Sequence, residues 1–262
     1  MKESIAKKVS APGQWFQPSE LDPEAAVRLF LFPHAGSGAI IYRDWADLLP
    51  SDIGAQAVTL PGRQERREET AYTEWEPLLE GLYESVLAEC DDRPFAFFGH
   101  CLGAQLAYHL SVRMHEDGVR GPLLVGMSGW APDGFFNPTK EHIGMPEEEL
   151  VGWIKKLGSF PAEIYDNPEM LQMVIPALRA DLSVAAQRVD EGAIVPCPLV
   201  SYGGKSDPLM EEEDAFASWV PRSPQYLGHS EYSGGHFFID KHALAVTSDF
   251  TRHLYRLAAA RA

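Results

Sequence analysis

Gly99-His100-Cys101-Leu102-Gly103 constrains this chain more than any other five residues in it. The segment follows the apolar run Phe95-Ala96-Phe97-Phe98 and opens a stretch, Leu102 to Met114, in which Leu102, Leu106 and Leu110 recur at helical spacing. A strand that passes into a helix through Gly-x-Cys-x-Gly must turn sharply, and glycine, lacking a Cβ, permits that turn. The central side chain is then pushed out of the turn into the open. Here that side chain is a thiol.

The flanking sequence supplies the sheet such a turn needs. Ala26 to Phe32 reads as a strand ending at Pro33-His34-Ala35-Gly36-Ser37-Gly38, followed by a helix over Ala39 to Leu49, stopped by Pro50. Ala55 to Leu60 reads as a second strand, ending at Pro61-Gly62-Arg63. Trp75, Leu78, Leu79, Leu82 and Val86 fit a helix, as do Val246, Phe250, Leu254 and Leu257 near the end. Leu123 to Met127, Pro198 to Tyr202 and Gln225 to Gly228 read as further strands, with a helix-like run over Met210 to Ala217. Strands alternating with helices predict an α/β fold: a mostly parallel central sheet flanked by helices.

Two regions depart from that rhythm. Residues 1–24, polar and marked by Pro12, Pro18 and Pro23, are expected to be a flexible tail. Residues 133–194 are helical with loops, over Glu147 to Leu157 and about Asn167 to Val189 with a bend at Pro176. They read as an insertion between two core parts, 25–132 and 195–262. Phe135, Phe136, Trp153, Phe160, Met170 and Met173 could line an acyl pocket beneath it, flexible methionines suiting variable chains; packing onto the core is the simpler role for any one of them.

With 262 residues, 45% hydrophobic and 23% charged, the chain has ample material for a core. Its net charge of −16 argues against nucleic acid or an anionic membrane as its main partner. The three cysteines, Cys90, Cys101 and Cys197, form neither a disulfide framework nor a zinc motif. With no apolar signal core at the start and no run of about 18 apolar residues, a cytoplasmic protein with a free Cys101 is expected.

Covalent acyl chemistry needs a nucleophile, an orienting acid, a base and donors for an oxyanion, and here the first three occur in that chain order. Cys101 is the nucleophile; Cys90 and Cys197 lack its setting and read as packing residues. His236, in Ser233-Gly234-Gly235-His236-Phe237-Phe238, is the base, preferred over its neighbours His229 and His242. Asp207, in Gly203-Gly204-Lys205-Ser206-Asp207-Pro208, is the acid that fixes the imidazole tautomer, with Asp214 and Asp240 as rivals. The backbone N–H of Leu102 and that of Ala35 are the oxyanion donors. His34 and His100 read as supporting groups. No cofactor or metal is expected.

With these segments placed, the chain resembles the external, type II editing thioesterases of polyketide and nonribosomal peptide biosynthesis, α/β-hydrolases with a helical lid. The resemblance spans about Leu29 to Ile239. It rests on Phe32-Pro33-His34-Ala35-Gly36, Leu60-Pro61-Gly62-Arg63, Gly99-His100-Cys101-Leu102-Gly103, Pro176-Ala177-Leu178-Arg179-Ala180-Asp181 and Gly234-Gly235-His236-Phe237-Phe238. It implies an α/β-hydrolase fold with residues 133–194 as lid, a Cys101–Asp207–His236 triad, and Ala35 and Leu102 at the oxyanion positions. It implies hydrolysis of acyl or aminoacyl groups from the phosphopantetheine of a carrier protein; a monomer is expected. Two residues depart from the family pattern: cysteine stands where serine is usual, and Leu102 where methionine is common.

The thiol changes the expected energetics. Serine would convert the carrier thioester to an oxyester, whereas cysteine makes another thioester, so a second carrier thiol could remove the acyl group as readily as water. Acyl transfer between carriers is therefore the alternative activity, and carrier binding with weak catalysis a third. Arg63, Arg66 and Arg67 form a basic cluster that could meet carrier phosphate or carboxylates, a solvated loop being the competing reading.

Overall fold

The computed structural model describes residues 15–188, 190–212 and 214–260. Seven strands form one sheet in the order β1-β3-β2-β4-β5-β6-β7. They are β1 (Phe16–Gln17), β2 (Val27–Phe32), β3 (Ile53–Val58), β4 (Phe95–His100), β5 (Val125–Ser128), β6 (Leu199–Gly204) and β7 (Tyr226–Tyr232). Only β1 is antiparallel; every other pairing is parallel. The strands β2, β4, β5 and β6 are buried along their whole length, as continuous apolar runs in a parallel sheet covered on both faces should be.

The covering helices are α1 (Trp75–Glu89), α2 (Leu102–Glu116), α3 (Lys140–Gly144), α4 (Glu147–Leu157), α5 (Ala162–Tyr165), α6 (Pro168–Ala185), α7 (Trp219–Arg222) and α8 (Ile239–Ala259). One face of the sheet packs with Leu78, Leu82, Leu106 and Leu110 from α1 and α2. The other packs with Trp45 and with Val246, Phe250 and Leu254 of α8. The helices α3 to α6 all fall between β5 and β6, and their own cluster joins Leu150 and Ile154 to Ile175, Leu178 and Leu182.

Several local expectations are corrected. Within the expected tail, residues 1–14 lie outside the described residues, but Trp15 and Phe16 are 2% and 1% exposed. Phe16 and Gln17 pair with β3, and Phe16 packs on Phe30; two aromatics against the sheet outweigh the surrounding prolines. The helix expected over Ala39 to Leu49 is a 3₁₀ helix, Ala39–Trp45, without a side-chain cap at its start. The helix-like run from Met210 begins later, as a 3₁₀ turn over Ala215–Ser218 that leads into α7. The long helix of the insertion is α6, capped by the Asn167 side chain, with Pro176 inside it; Val189 lies outside the described residues.

Candidate active site

The turn after β4 has the geometry its glycines anticipate. A Cβ on Gly103 would lie 2.0 Å from the Phe32 carbonyl oxygen, and one on Gly99 would lie 2.2 Å from that of Gly103. Only glycines let α2 start this close to β2 and β4. Cys101 sits between them at φ 56°, ψ −117°, outside the regions comfortable for a side chain. Its N–H donates to the Ser128 carbonyl at 2.9 Å, which ties the strained residue to β5.

Asp207 follows β6 and His236 follows β7, so the ends of three parallel strands bring the groups together, at the edge where open α/β sheets bind ligands. His236 Nδ1 and Asp207 Oδ2 are 2.7 Å apart, and both side chains are buried. Asp207 also accepts the Leu209 N–H at 2.9 Å, which fixes the carboxylate independently of the ring. Nε2 of His236 makes no hydrogen bond of normal geometry, but the Cys101 thiol beside it acts on the ring. Burial opposes charge on that ring. The negative charge of Cys101 and the hydrogen bond to Asp207 outweigh it and raise the His236 pKa to about 10.

The rival residues are engaged elsewhere. His229 stacks on Phe216 and bonds Ser201; His242 bonds Ser233. Asp240 has its pKa raised by burial and makes no hydrogen bond with His236. Cys197 is buried in the core, and Cys90 closes α1 with its thiol pushed up to about 11 by burial. His34 and His100 flank the site, the His100 ring centroid 5.0 Å from that of His236. Burial lowers His34 to about 4 and drives His100 well below its ordinary value, so both stay neutral.

The Leu102 and Ala35 amides have no acceptor among the described residues. Ala35 lies in the loop after β2, and a buried ion pair holds that loop. Asp181 of α6 accepts two hydrogen bonds from Arg63, at 2.5 and 2.7 Å, and one from the Gly36 N–H at 2.7 Å. Arg63 also donates to the Ser37 carbonyl at 2.9 Å. One carboxylate thus joins the loop after β2, the loop after β3 and α6.

This corrects the reading of the arginine cluster. Arg63 is 6% and Arg66 4% exposed. Arg66 pairs with Glu69, donates to the Thr59 carbonyl and lies over the Trp15 ring. Only Arg67 faces solvent, beside Glu68. The signal for the pairing was present in the sequence: Leu178, Asp181, Leu182 and Ala185 make one helical stripe with a carboxylate in it, and a charge on a buried stripe requires a partner.

A cavity of about 50 Å³ opens beside Cys101, between the strand ends and the inserted helices. Its wall includes Phe135, Phe136, Trp153, Leu178, Leu182 and Gln105. The methionines expected there are absent from it: Met170 is 44% and Met173 58% exposed, because α6 turns Ile175, Leu178 and Leu182 inward instead.

A thiol beside an imidazole that is hydrogen-bonded to a carboxylate, at the mouth of an apolar cavity, forms a site for acyl-group chemistry. The model of the thioesterase-domain family matches residues 27–254, and the chain belongs to that family as a thioester hydrolase. It is 33% identical over 233 residues to the linear gramicidin dehydrogenase LgrE of Brevibacillus parabrevis, covering 87% of this chain and 88% of that one. It is 28% identical over 244 residues to the thioesterase PikA5 of Streptomyces venezuelae, covering 92% and 86%. The first of these names belongs to an oxidoreductase; the family model carries the assignment here. Among solved structures, the type II thioesterase BorB from the borrelidin biosynthetic cluster superposes with a TM-score of 0.81 at 28% identity, covering 92% of this chain and 97% of that one.

Proposed function

We propose that this thioesterase releases acyl or aminoacyl groups from the phosphopantetheine thiol of carrier proteins, clearing stalled chains from a polyketide or nonribosomal peptide synthase. The observation that carries the reading is the juxtaposition of Cys101, on its strained turn, with the His236–Asp207 pair at the mouth of an apolar cavity. The association of BorB with a biosynthetic cluster supports the carrier-bound substrate.

In this mechanism His236, oriented by Asp207, takes the proton of Cys101, which attacks as the thiolate. Sulfur bonds to the thioester carbon, and the carbonyl electrons move onto oxygen. The Ala35 and Leu102 N–H groups stabilise that oxyanion. When it collapses, the bond to the carrier sulfur breaks, and His236 Nε2 gives its proton to the departing thiolate. The ring, now neutral, takes a proton from water as the water oxygen attacks the acyl-Cys101 carbon. Collapse expels the Cys101 thiolate, releases the carboxylic acid and restores the charged pair. Asp207 orients the ring throughout and does not itself take the proton.

The thiol also favours a second reading, carrier-to-carrier transfer, because a carrier thiol can take water's place in the second half at nearly balanced energy. The test is an acyl-loaded carrier protein with and without a second, free carrier. Free acid, acyl-enzyme by intact mass and acyl transfer are followed together. Hydrolysis predicts free acid as the main product and loss of both adduct and acid in Cys101→Ala. Transfer that outruns acid release would overturn it in favour of the shuttle.

A further inference from the structure

Besides His236, the described residues of the cavity wall include one with a buried, unpaired side-chain atom, Gln105. Gln105 is 4% exposed, and its Oε1 is buried without a hydrogen-bond partner. Its backbone N–H is already used, donating to the Cys101 carbonyl at 3.2 Å. The side chain lines the cavity with the apolar residues around it. A buried acceptor left unpaired is destabilising, and this one borders the space where the substrate must lie.

Its position fixes what it can reach. Gln105 is one helical turn beyond Cys101, about 6 Å along the axis of α2. Helical side chains lean toward the N-terminus, which is the end of α2 that Cys101 caps. The group it meets lies within the first few carbons past the reacting carbonyl. The cavity wall is otherwise mostly apolar. No Asp or Glu lines it among the described residues, and His34 there is neutral. An ammonium would therefore be buried unpaired, which is costly, whereas a hydroxyl would be matched.

We infer that Gln105 is a specificity-determining residue that selects acyl groups bearing a hydroxyl near the carbonyl, as in a 3-hydroxyacyl thioester, over unsubstituted and amino-substituted ones. This rests on the thioesterase reading above and narrows its substrate class. The hydroxyl donates to Oε1, and the Gln105 amide can donate in return, since a carboxamide offers both roles. An alkyl chain leaves Oε1 unpaired, and a site that expects a hydrogen bond rejects a substrate that cannot make it.

The experiment compares N-acetylcysteamine thioesters of 3-hydroxybutyrate, butyrate and 2-aminobutyrate, reading kcat/KM for wild type, Gln105→Leu and Gln105→Met. The expected result is a preference of about tenfold or more for the hydroxylated over the plain chain in wild type. Both variants should collapse or reverse it, and 2-aminobutyrate should be the poorest substrate of wild type. Thermal melting should show the variants folded and at least as stable, since each removes an unpaired buried oxygen. An unchanged hydroxyl-to-alkyl ratio in a folded variant overturns the inference about Gln105 alone, as does a wild type that prefers butyrate. A protein that releases acid from none of the three, nor from acyl-carrier protein, overturns the thioesterase reading itself.

Discussion

Replacing Asp181 by alanine should damage stability and rate by separable amounts. The carboxylate is 1% exposed and bonds both terminal nitrogens of Arg63 and the Gly36 N–H. Truncation leaves a guanidinium that is itself only 6% exposed without its counter-charge. Removing one partner of such a buried pair is worth about 3–5 kcal/mol, an amount that already includes much of the loss at Gly36. For a chain of this size each kcal/mol moves the melting temperature by about 2–4 °C, so Asp181→Ala should melt about 10 °C lower. The loop carrying Ala35 is released at the same time, and misplacing one oxyanion donor should reduce kcat by about tenfold to a hundredfold. The control is the double variant Arg63→Met with Asp181→Leu. Swapping a whole buried pair for apolar groups is often neutral, so most of the melting temperature should return. The rate should not, because the Gly36 N–H still lacks its acceptor. Calorimetric melting and thioester hydrolysis report the two effects. A single variant melting within about 2 °C of wild type would refute the account, as would a double variant that recovers full activity.

Two further predictions concern pH. The His236 pKa is raised in the folded protein, so its stabilisation is complete below the ordinary value of 6.5 and is lost as pH rises toward about 10. Proton NMR of the ring should show it charged at neutral pH, and Cys101→Ala should bring its titration down; an unmoved midpoint would show that the thiol does not act on it. His34 behaves in the opposite sense. Burial lowers it to about 4, so the unfolded chain binds its proton first and stability falls as pH drops from 6.5 to about 4. That one residue accounts for roughly 3 kcal/mol of acid destabilisation, and His34→Asn should flatten the acid limb of melting temperature against pH.

The parts of the site visible in the sequence were those announced by local pattern. A glycine-flanked thiol after an apolar strand, a glycine-rich histidine loop and an aspartate after a later strand each carry their own context, and the strand ends place all three together. What stayed hidden depended on distant partners. Arg63 and Arg66 looked like a surface cluster, because charge alone says exposed; Asp181, 118 residues beyond Arg63, is what permits burial. Trp15 and Phe16 looked like tail because a two-residue strand has no periodicity to read. Met170 and Met173 fell on the outer face because three branched apolar residues compete for the inner one.

Asp181 has a consequence for how the pocket can be altered. Its neighbours Leu178 and Leu182 form part of the cavity wall, while Asp181 itself grips Gly36, next to the proposed oxyanion donor Ala35. The helix that shapes the space for the acyl chain is thus bolted to the loop proposed to stabilise the reacting oxygen. Widening the cavity by moving α6 would detune the chemistry with it, so selectivity and speed cannot drift independently along that wall. Changes of chain length are better sought at Phe136 and Trp153, whose rings pack on each other in the same wall.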